Sequence, residues 1–169
     1  VYPVKGCRGL APLTALVTAT GLSTGGADDR EWMIVDPAGR FVTQRELPRL
    51  AQVTVTADPD GLTLRAPGAA ALAVPYATAG APMAVEVGHH RGGGIDAGDL
   101  SAAWLSAWLG TPVRLVRFDR STPRACKPEY AGASGAHTLF SDGYPVLVIG
   151  TASLDDLNAR LVARGSNAL

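Results

Sequence analysis

The sequence predicts a mainly β fold with helices, an α+β chain whose first two thirds form an antiparallel barrel or sandwich. Three observations carry this. Short apolar runs with period-two alternation recur at the spacing of about 8–12 residues typical of all-β domains. The chain has 20 glycines and 12 prolines without a collagen-like period, punctuation that suits short strands joined by tight turns. A helical period emerges only at residues 99–109 and again after Ser153, so helices are additions to a strand-rich body.

Residues 1–5 read as a first strand. The β-branched run 13–20 reads as a second, pairing back in a meander. Residues 21–30, GLSTGGADDR, are polar and glycine-rich, the composition of a mobile or functional loop. Residues 31–36 form a strand, Asp36-Pro37-Ala38-Gly39 a type I turn, and residues 40–43 the returning arm of a hairpin. Pro48 forbids a central strand in 44–50. Residues 51–57 alternate apolar and hydroxyl side chains, as a strand with one buried face does. A turn at 58–61 and residues 62–66 complete a second hairpin, and 72–75 and 83–88 are further short strands. Residues 89–96, HHRGGGID, read as a glycine-rich loop, in which the His89–His90 pair lacks a third metal ligand at an interpretable distance.

Residues 99–109 place Leu100, Ala103, Trp104, Ala107 and Trp108 on one helical stripe, with both tryptophans turned to the core. Asp99 is the expected N-cap and Gly110 the left-handed stop. Residues 113–118 alternate again as a strand whose arginines face away from the core. Residues 119–137 are irregular, a linker or long surface loop. Beyond them come a turn at 140–143, a near-continuous apolar strand at 145–149 and a helix capped by Ser153. Asp155 and Asp156 lie near that helix's N-terminal dipole, Leu154, Leu157 and Leu161 line one face, and Gly165 ends it. The expected organisation is one unit over residues 1–119, a linker over 120–138, and the incomplete start of a second unit over 139–169. The chain opens without Met and stops after a helix, so it reads as a piece of a longer protein.

A hydrophobic share of 47% is enough to fill a core, and a formal net charge of zero with pI near 7.0 argues against a nucleic-acid polymer or a membrane surface as partner. No run approaches the ~20 apolar residues of a membrane span, and no signal peptide is evident. Cys7 and Cys126 lie far apart with no CxxC or Cys/His spacing around them. They read as free thiols in a reducing compartment, and the expected location is cytoplasmic.

No GxSxG, HExxH, P-loop or strand-borne GxGxxG is present. His137, Ser141 and Asp142 are close in sequence but match no nucleophile elbow. What recurs is small residues beside isolated cations at turns: Lys5 and Gly6 with Arg8 nearby, Arg30 after the glycine-rich loop, then Ser141, Asp142 and Gly143. Backbone N–H groups at small residues approach a ligand closely, and flanking cations suit an anion, phosphate above all. The plain alternative is a strand entering an exposed turn with a solvated lysine.

The segments YPVKGCRGL (2–10), GLSTGGADDREWMIVDPAGRFVTQRELPRL (21–50), DAGDLSAAWLSAWLGTPVRLVRF (96–118) and FSDGYPVLVIGTASLDDLNARL (140–161) occur here in one order. Together they resemble the MOSC family, molybdenum-cofactor-binding proteins that include amidoxime-reducing enzymes and bacterial relatives. The resemblance implies an N-terminal β-barrel domain followed by the truncated start of a MOSC β-barrel domain, the two sharing a molybdopterin site. It implies that Lys5 holds the cofactor's phosphate, that Gly6 supplies backbone where the family often has Ser, and that Arg30 also grips the cofactor. Asp142 and Gly143, with Ser141 beside them, match positions at the pterin end. The family's molybdenum-ligating cysteine lies further downstream, so neither Cys7 nor Cys126 takes that role and no catalytic or metal-binding residue is expected here. The implied activity is reduction of a small N-hydroxylated substrate, with electrons from a donor protein or a fused iron–sulfur domain. The alternative is a cofactor carrier or sulfurase-type binding module; pyridoxal phosphate binding is a further family-level expectation.

Overall fold

The structure is a computed structural model that describes residues 1–169 apart from Thr78 and Ala79. Twelve strands and three α-helices are assigned among the described residues. The strands are β1 (Val4–Lys5), β2 (Leu16–Thr18), β3 (Gly21–Ser23), β4 (Trp32–Val35), β5 (Thr54–Asp58), β6 (Gly61–Arg65), β7 (Leu72–Pro75), β8 (Pro82–Val87), β9 (His90–Asp96), β10 (Arg114–Phe118), β11 (Arg124–Ala125) and β12 (His137–Thr138). The helices are α1 (Asp99–Leu109), α2 (Pro128–Ala131) and α3 (Thr151–Ala163), and Pro48–Gln52 forms one 3-10 turn.

The central sheet runs β1-β4-β10-β9-β8. Its β1–β4 pair is parallel and the others antiparallel. A second sheet is the meander β5-β6-β7, and β2-β3 and β11-β12 are separate hairpins. The body is therefore mainly β, as expected, but its hydrogen-bonded ladders stay in four sheets and do not close into one ring.

β4 explains how the halves join. All four of its residues are buried, and alternation sends them to two cores. Trp32 and Ile34 join Val4, Val55, Leu62, Leu64, Leu105 and Leu115 between the two large sheets. Met33 and Val35 join Val85, Val87, Val116, Phe118, Leu139 and Phe140 on the opposite face. A strand covered on both sides reads as an unbroken apolar run, which is what 32–35 are. The register Val4↔Trp32 and Lys5↔Met33 puts Val4 on the first face and Lys5 on the second.

Several expectations are corrected. Residues 90–96 are not a loop but β9, paired with β8 through a two-residue turn at Gly88 and His89. Its glycines serve close packing: a Cβ at Gly93 would lie 2.9 Å from Thr122 Oγ1, and one at Gly94 3.2 Å from Val85 Cγ1. The predicted loop 21–30 contains β3, so the second strand pairs with it in a small hairpin. On α1 the buried residues are Ser101, Ala102, Leu105 and Leu109, while Leu100 is exposed. The stripe is rotated because the tryptophans sit at its margin, where Trp104 Nε1 donates to the Ala70 carbonyl at 2.7 Å and the Arg49 guanidinium lies 3.8 Å from the Trp108 ring centroid. Gly98 caps the helix, and the Asp99 carboxylate instead accepts from Arg114 at 2.8 Å. Arg117 does not face away from the core; it sits over the Trp32 and Tyr76 rings and donates to buried Glu31. Residues 119–137 carry β11, α2 and two buried side chains, Arg124 and Cys126. Residues 145–149 form no strand, and Leu147 and Val148 are exposed: without a pairing edge a short apolar run has nowhere to place its backbone bonds. Helix α3 is capped by Gly150, not Ser153, so Asp155 and Asp156 fall beyond its first turn, and none of its residues is buried.

Candidate functional site

Lys5 ends β1, the edge strand of the central sheet, with its side chain on the second core's face. Gly6 follows at φ 84°, a left-handed conformation that lets the chain turn off the sheet immediately. Its carbonyl accepts from Gln44 Nε2 at 2.8 Å, and the Cys7 amide bonds back to the Val4 carbonyl at 3.1 Å. The turn is fixed from both sides.

The Lys5 side chain is only 6% exposed, yet its ammonium meets the Asp142 carboxylate at 2.8 Å and lies 4.8 Å from the Phe41 ring centroid. Arg30 comes to the same place from the loop before β4. It is the one non-glycine residue with positive φ among those described, at 55°. Its amide bonds to the Tyr2 carbonyl at 2.7 Å, its own carbonyl accepts from the Phe140 amide at 3.0 Å, and its guanidinium packs over the Tyr2 ring beside the Asp29 carboxylate. Tyr2, Lys5, Gly6, Arg30, Phe41 and Asp142 line one open cleft of about 270 Å³, together with Cys7, Thr43, Gln44 and Arg45.

Electrostatics follow from this packing. Burial pushes the Lys5 ammonium below its ordinary pKa; Asp142 pulls it back up, and the Arg30 and Arg124 cations push it down again. The hydrogen bond from Lys5 holds the Asp142 carboxyl below the usual carboxylate range, and Arg30 and Arg124 act in the same direction. Lys5, Arg30 and Arg45 line the cleft against the Asp142 carboxylate, and Asp29 pairs with Arg30, so a small excess of positive charge remains to attract an anion.

The other expected positions divide. Gly143 lines a neighbouring cleft with His89, His90, Arg124 and Lys127 on the far side of Asp142. Ser141 is buried; its Oγ has no hydrogen-bond partner and its carbonyl accepts from Arg124. Arg8 leaves the site, its amide bonded to the Val53 carbonyl at 3.0 Å and its side chain lining a separate cleft with Arg65. Cys7 belongs to the main core, where burial pushes its thiol up to about 12. Cys126 is buried too, and burial raises its thiol. The sequence reading missed Tyr2, Phe41, Arg45 and Arg124. YPVK places Tyr2 within reach of the turn, but nothing local marks Arg124, which lies in a stretch read as linker.

The MOSC N-terminal beta barrel domain family matches residues 1–112. The chain belongs to the MOSC N-terminal β-barrel family. Human mitochondrial amidoxime-reducing component 1 is 36% identical over 95% of this chain and 49% of its own length. The rat mitochondrial amidoxime reducing component 2 is 33% identical over 95% of this chain and 50% of its own length. The chain thus spans about half the length of the curated relatives it matches. A solution structure of a Bordetella bronchiseptica protein is 26% identical and superposes with a TM-score of 0.53, covering 70% of this chain and 98% of that one. Lys5, Gly6 and Arg30 fall within the matched family domain; Ser141, Asp142 and Gly143 fall beyond it.

Proposed function

We propose that this MOSC chain supplies the phosphate grip for a molybdenum cofactor in an oxidoreductase that reduces N-hydroxylated compounds. The observation that carries the reading is that Lys5 and Gly6 line a single cleft with Arg30, although residues 7–29, containing β2 and β3, intervene. Their chemistry fits a phosphate monoester: a point-like ammonium, a planar guanidinium fork and a residue without Cβ between them and the cleft wall. The residues present do not fit the metal end, because Cys7 and Cys126 are buried thiols raised above their ordinary pKa. The bound cofactor would supply the two-electron reduction. This chain's residues bind its anionic end, orient it through Lys5 and Arg30, and keep Lys5 charged through Asp142.

The names of the amidoxime-reducing relatives favour a reductase over a carrier or sulfurase-type module, and they do not point to pyridoxal phosphate. An electron-donor protein or a fused iron–sulfur domain, and a cytoplasmic location where two free thiols persist, belong to the same proposal. The test is the molybdenum content of the purified full-length protein. Lys5→Ala and Arg30→Ala are expected to lower it severalfold, and full molybdenum occupancy in both variants would overturn the reading.

A further inference from the structure

Asp142 needs an explanation, because little in its own segment fixes it. Among the described residues, no backbone N–H of 141–149 donates to a backbone carbonyl. The preceding residue is anchored, since the Phe140 amide bonds to the Arg30 carbonyl at 3.0 Å and its ring packs edge-on against Phe118 with centroids 5.1 Å apart. Past Ser141, which is buried, the chain is mostly exposed, and the Asp142 side chain is 93% accessible. A carboxylate that accessible, on a segment without backbone bonds of its own, would ordinarily sample many positions.

Arg124 supplies the constraint. Its guanidinium is buried and donates to three carbonyls of the turn: Nη1 to Leu139 at 3.0 Å and to Ser141, and Nη2 to Asp142 at 2.8 Å. The arginine is itself fixed by the β11–β12 hairpin, where Arg124 pairs with Thr138 directly ahead of the turn. A planar fork with several fixed donors can define the course of a turn in a way that one rotatable ammonium cannot.

We infer that Arg124 is a positioning residue for the anion site: its fork on the Leu139, Ser141 and Asp142 carbonyls sets the turn that holds the Asp142 carboxylate on the Lys5 ammonium. The inference rests on the reading of Lys5 as the anion handle. It assigns Arg124 no contact with the anion; it acts through Asp142. The charged groups acting on Lys5 are Asp142, which favours its charge, and Arg30 and Arg124, which oppose it.

That opposition makes the role measurable. If Arg124 acted only as a nearby positive charge, removing it would raise the Lys5 titration midpoint. If it positions Asp142, removing it also frees the carboxylate, whose influence on Lys5 exceeds that of Arg124, and the midpoint falls. The experiment is an NMR titration of the Lys5 side chain in the full-length protein, with well-dispersed amide spectra confirming the fold of each variant. Asp142→Ala and Arg124→Met are each expected to lower the midpoint, and the double variant to lie no lower than Asp142→Ala alone. Arg124→Lys keeps the charge without the fork, disturbs packing less, and is expected to lower it as well. A rise or no change in both Arg124 variants overturns the inference. Failure of the wider reading is separate, because it appears as undiminished molybdenum in both Lys5→Ala and Arg30→Ala whatever the Lys5 titration does.

Discussion

Lys5 and Asp142 are 137 residues apart in sequence and 2.8 Å apart in the fold. The pair joins a nearly buried ammonium to an accessible carboxylate, 6% against 93% exposed. Its value therefore lies less in the Coulomb attraction, which water screens on the aspartate side, than in sparing Lys5 an uncompensated charge under Phe41. The same contact shows what an incoming anion meets: an ammonium already aimed into the cleft by a carboxylate that solvent can draw away.

The pH dependence of this pair has a definite sign. Asp142 titrates lower in the folded chain than in the unfolded one because Lys5 donates to its charged form. The stabilisation is therefore complete above the unfolded carboxyl value of about 3.9, and it is lost as pH falls through the lowered folded value. Asp142→Ala leaves the nearly buried Lys5 without its partner and is expected to cost more at neutral pH than the roughly 0.2–1 kcal/mol of a fully exposed pair. The gap between its denaturation curve and that of the unsubstituted protein should close progressively as the pH is taken below that unfolded value. A gap that persists at the acid end would mean the loss is one of packing.

Arg30 combines a left-handed backbone with a functional side chain, and two substitutions separate these. Arg30→Gly relieves the φ of 55° while removing the guanidinium; Arg30→Ala removes the guanidinium and keeps the strain. Asp29 retains the Tyr2 amide, at 2.6 Å, in either case. Arg30→Ala is expected to be less stable than Arg30→Gly by about 1 kcal/mol, with both variants equally poor in molybdenum. Measuring melting and metal content on the same samples distinguishes the two. A metal-replete Arg30→Gly would show that the guanidinium is dispensable.

Much of this fold was open to sequence reasoning, and the failures share one cause. The hairpin with its turn at Asp58 to Gly61 occurs where the residues place it, and the turn at Asp36 to Gly39 forms too, although its returning residues 40–43 make only isolated bridges rather than a strand. Helix α1 and its left-handed stop at Gly110 also occur where the residues place them. Gly93 and Gly94 misled because the reason for their small size is the proximity of Val85, Val116 and Thr122, which lie on other segments of the chain. Arg124 was invisible for the same reason, since its three acceptors lie 15 to 18 residues away. In the cleft, Lys5, Gly6 and Arg30 are legible through short motifs, whereas Arg45 reaches it through a turn closed by the Glu46 and Leu47 amides on the Thr43 carbonyl, whose Gln44 donates to the Gly6 carbonyl.

Cys7 offers a test of the assignment of the metal end elsewhere. Its side chain lies in the main core and its thiol is pushed up to about 12. An acid whose folded pKa is raised contributes stability that is present below its unfolded value of about 8.5 and is lost as pH rises from there toward the folded value. Native protein at pH 8 is expected to resist alkylation at Cys7, with labelling at the rate of unfolding and complete labelling in denaturant. Rapid native labelling would place the thiol at the cleft surface and reopen its candidacy as a ligand.

Phe140 decides whether the turn at 140–143 belongs to the body of the fold. Its ring is 2% exposed, stacked edge-on against Phe118 and packed with Met33, Val85 and Val116. Truncating a large buried aromatic removes its transfer free energy and leaves a cavity, typically about 3–5 kcal/mol in all. Leu147, seven residues on, is 85% exposed, and its replacement by Ala should stay within roughly 0.5 kcal/mol. Denaturant unfolding of Phe140→Ala and Leu147→Ala should therefore differ by several kcal/mol. Because Phe140 precedes Asp142 by two residues, Phe140→Ala should also release the carboxylate and lower the Lys5 titration, as Asp142→Ala does. A stable Phe140→Ala would show that residues 139–142 only rest on the sheet, leaving Arg124 as the turn's remaining anchor.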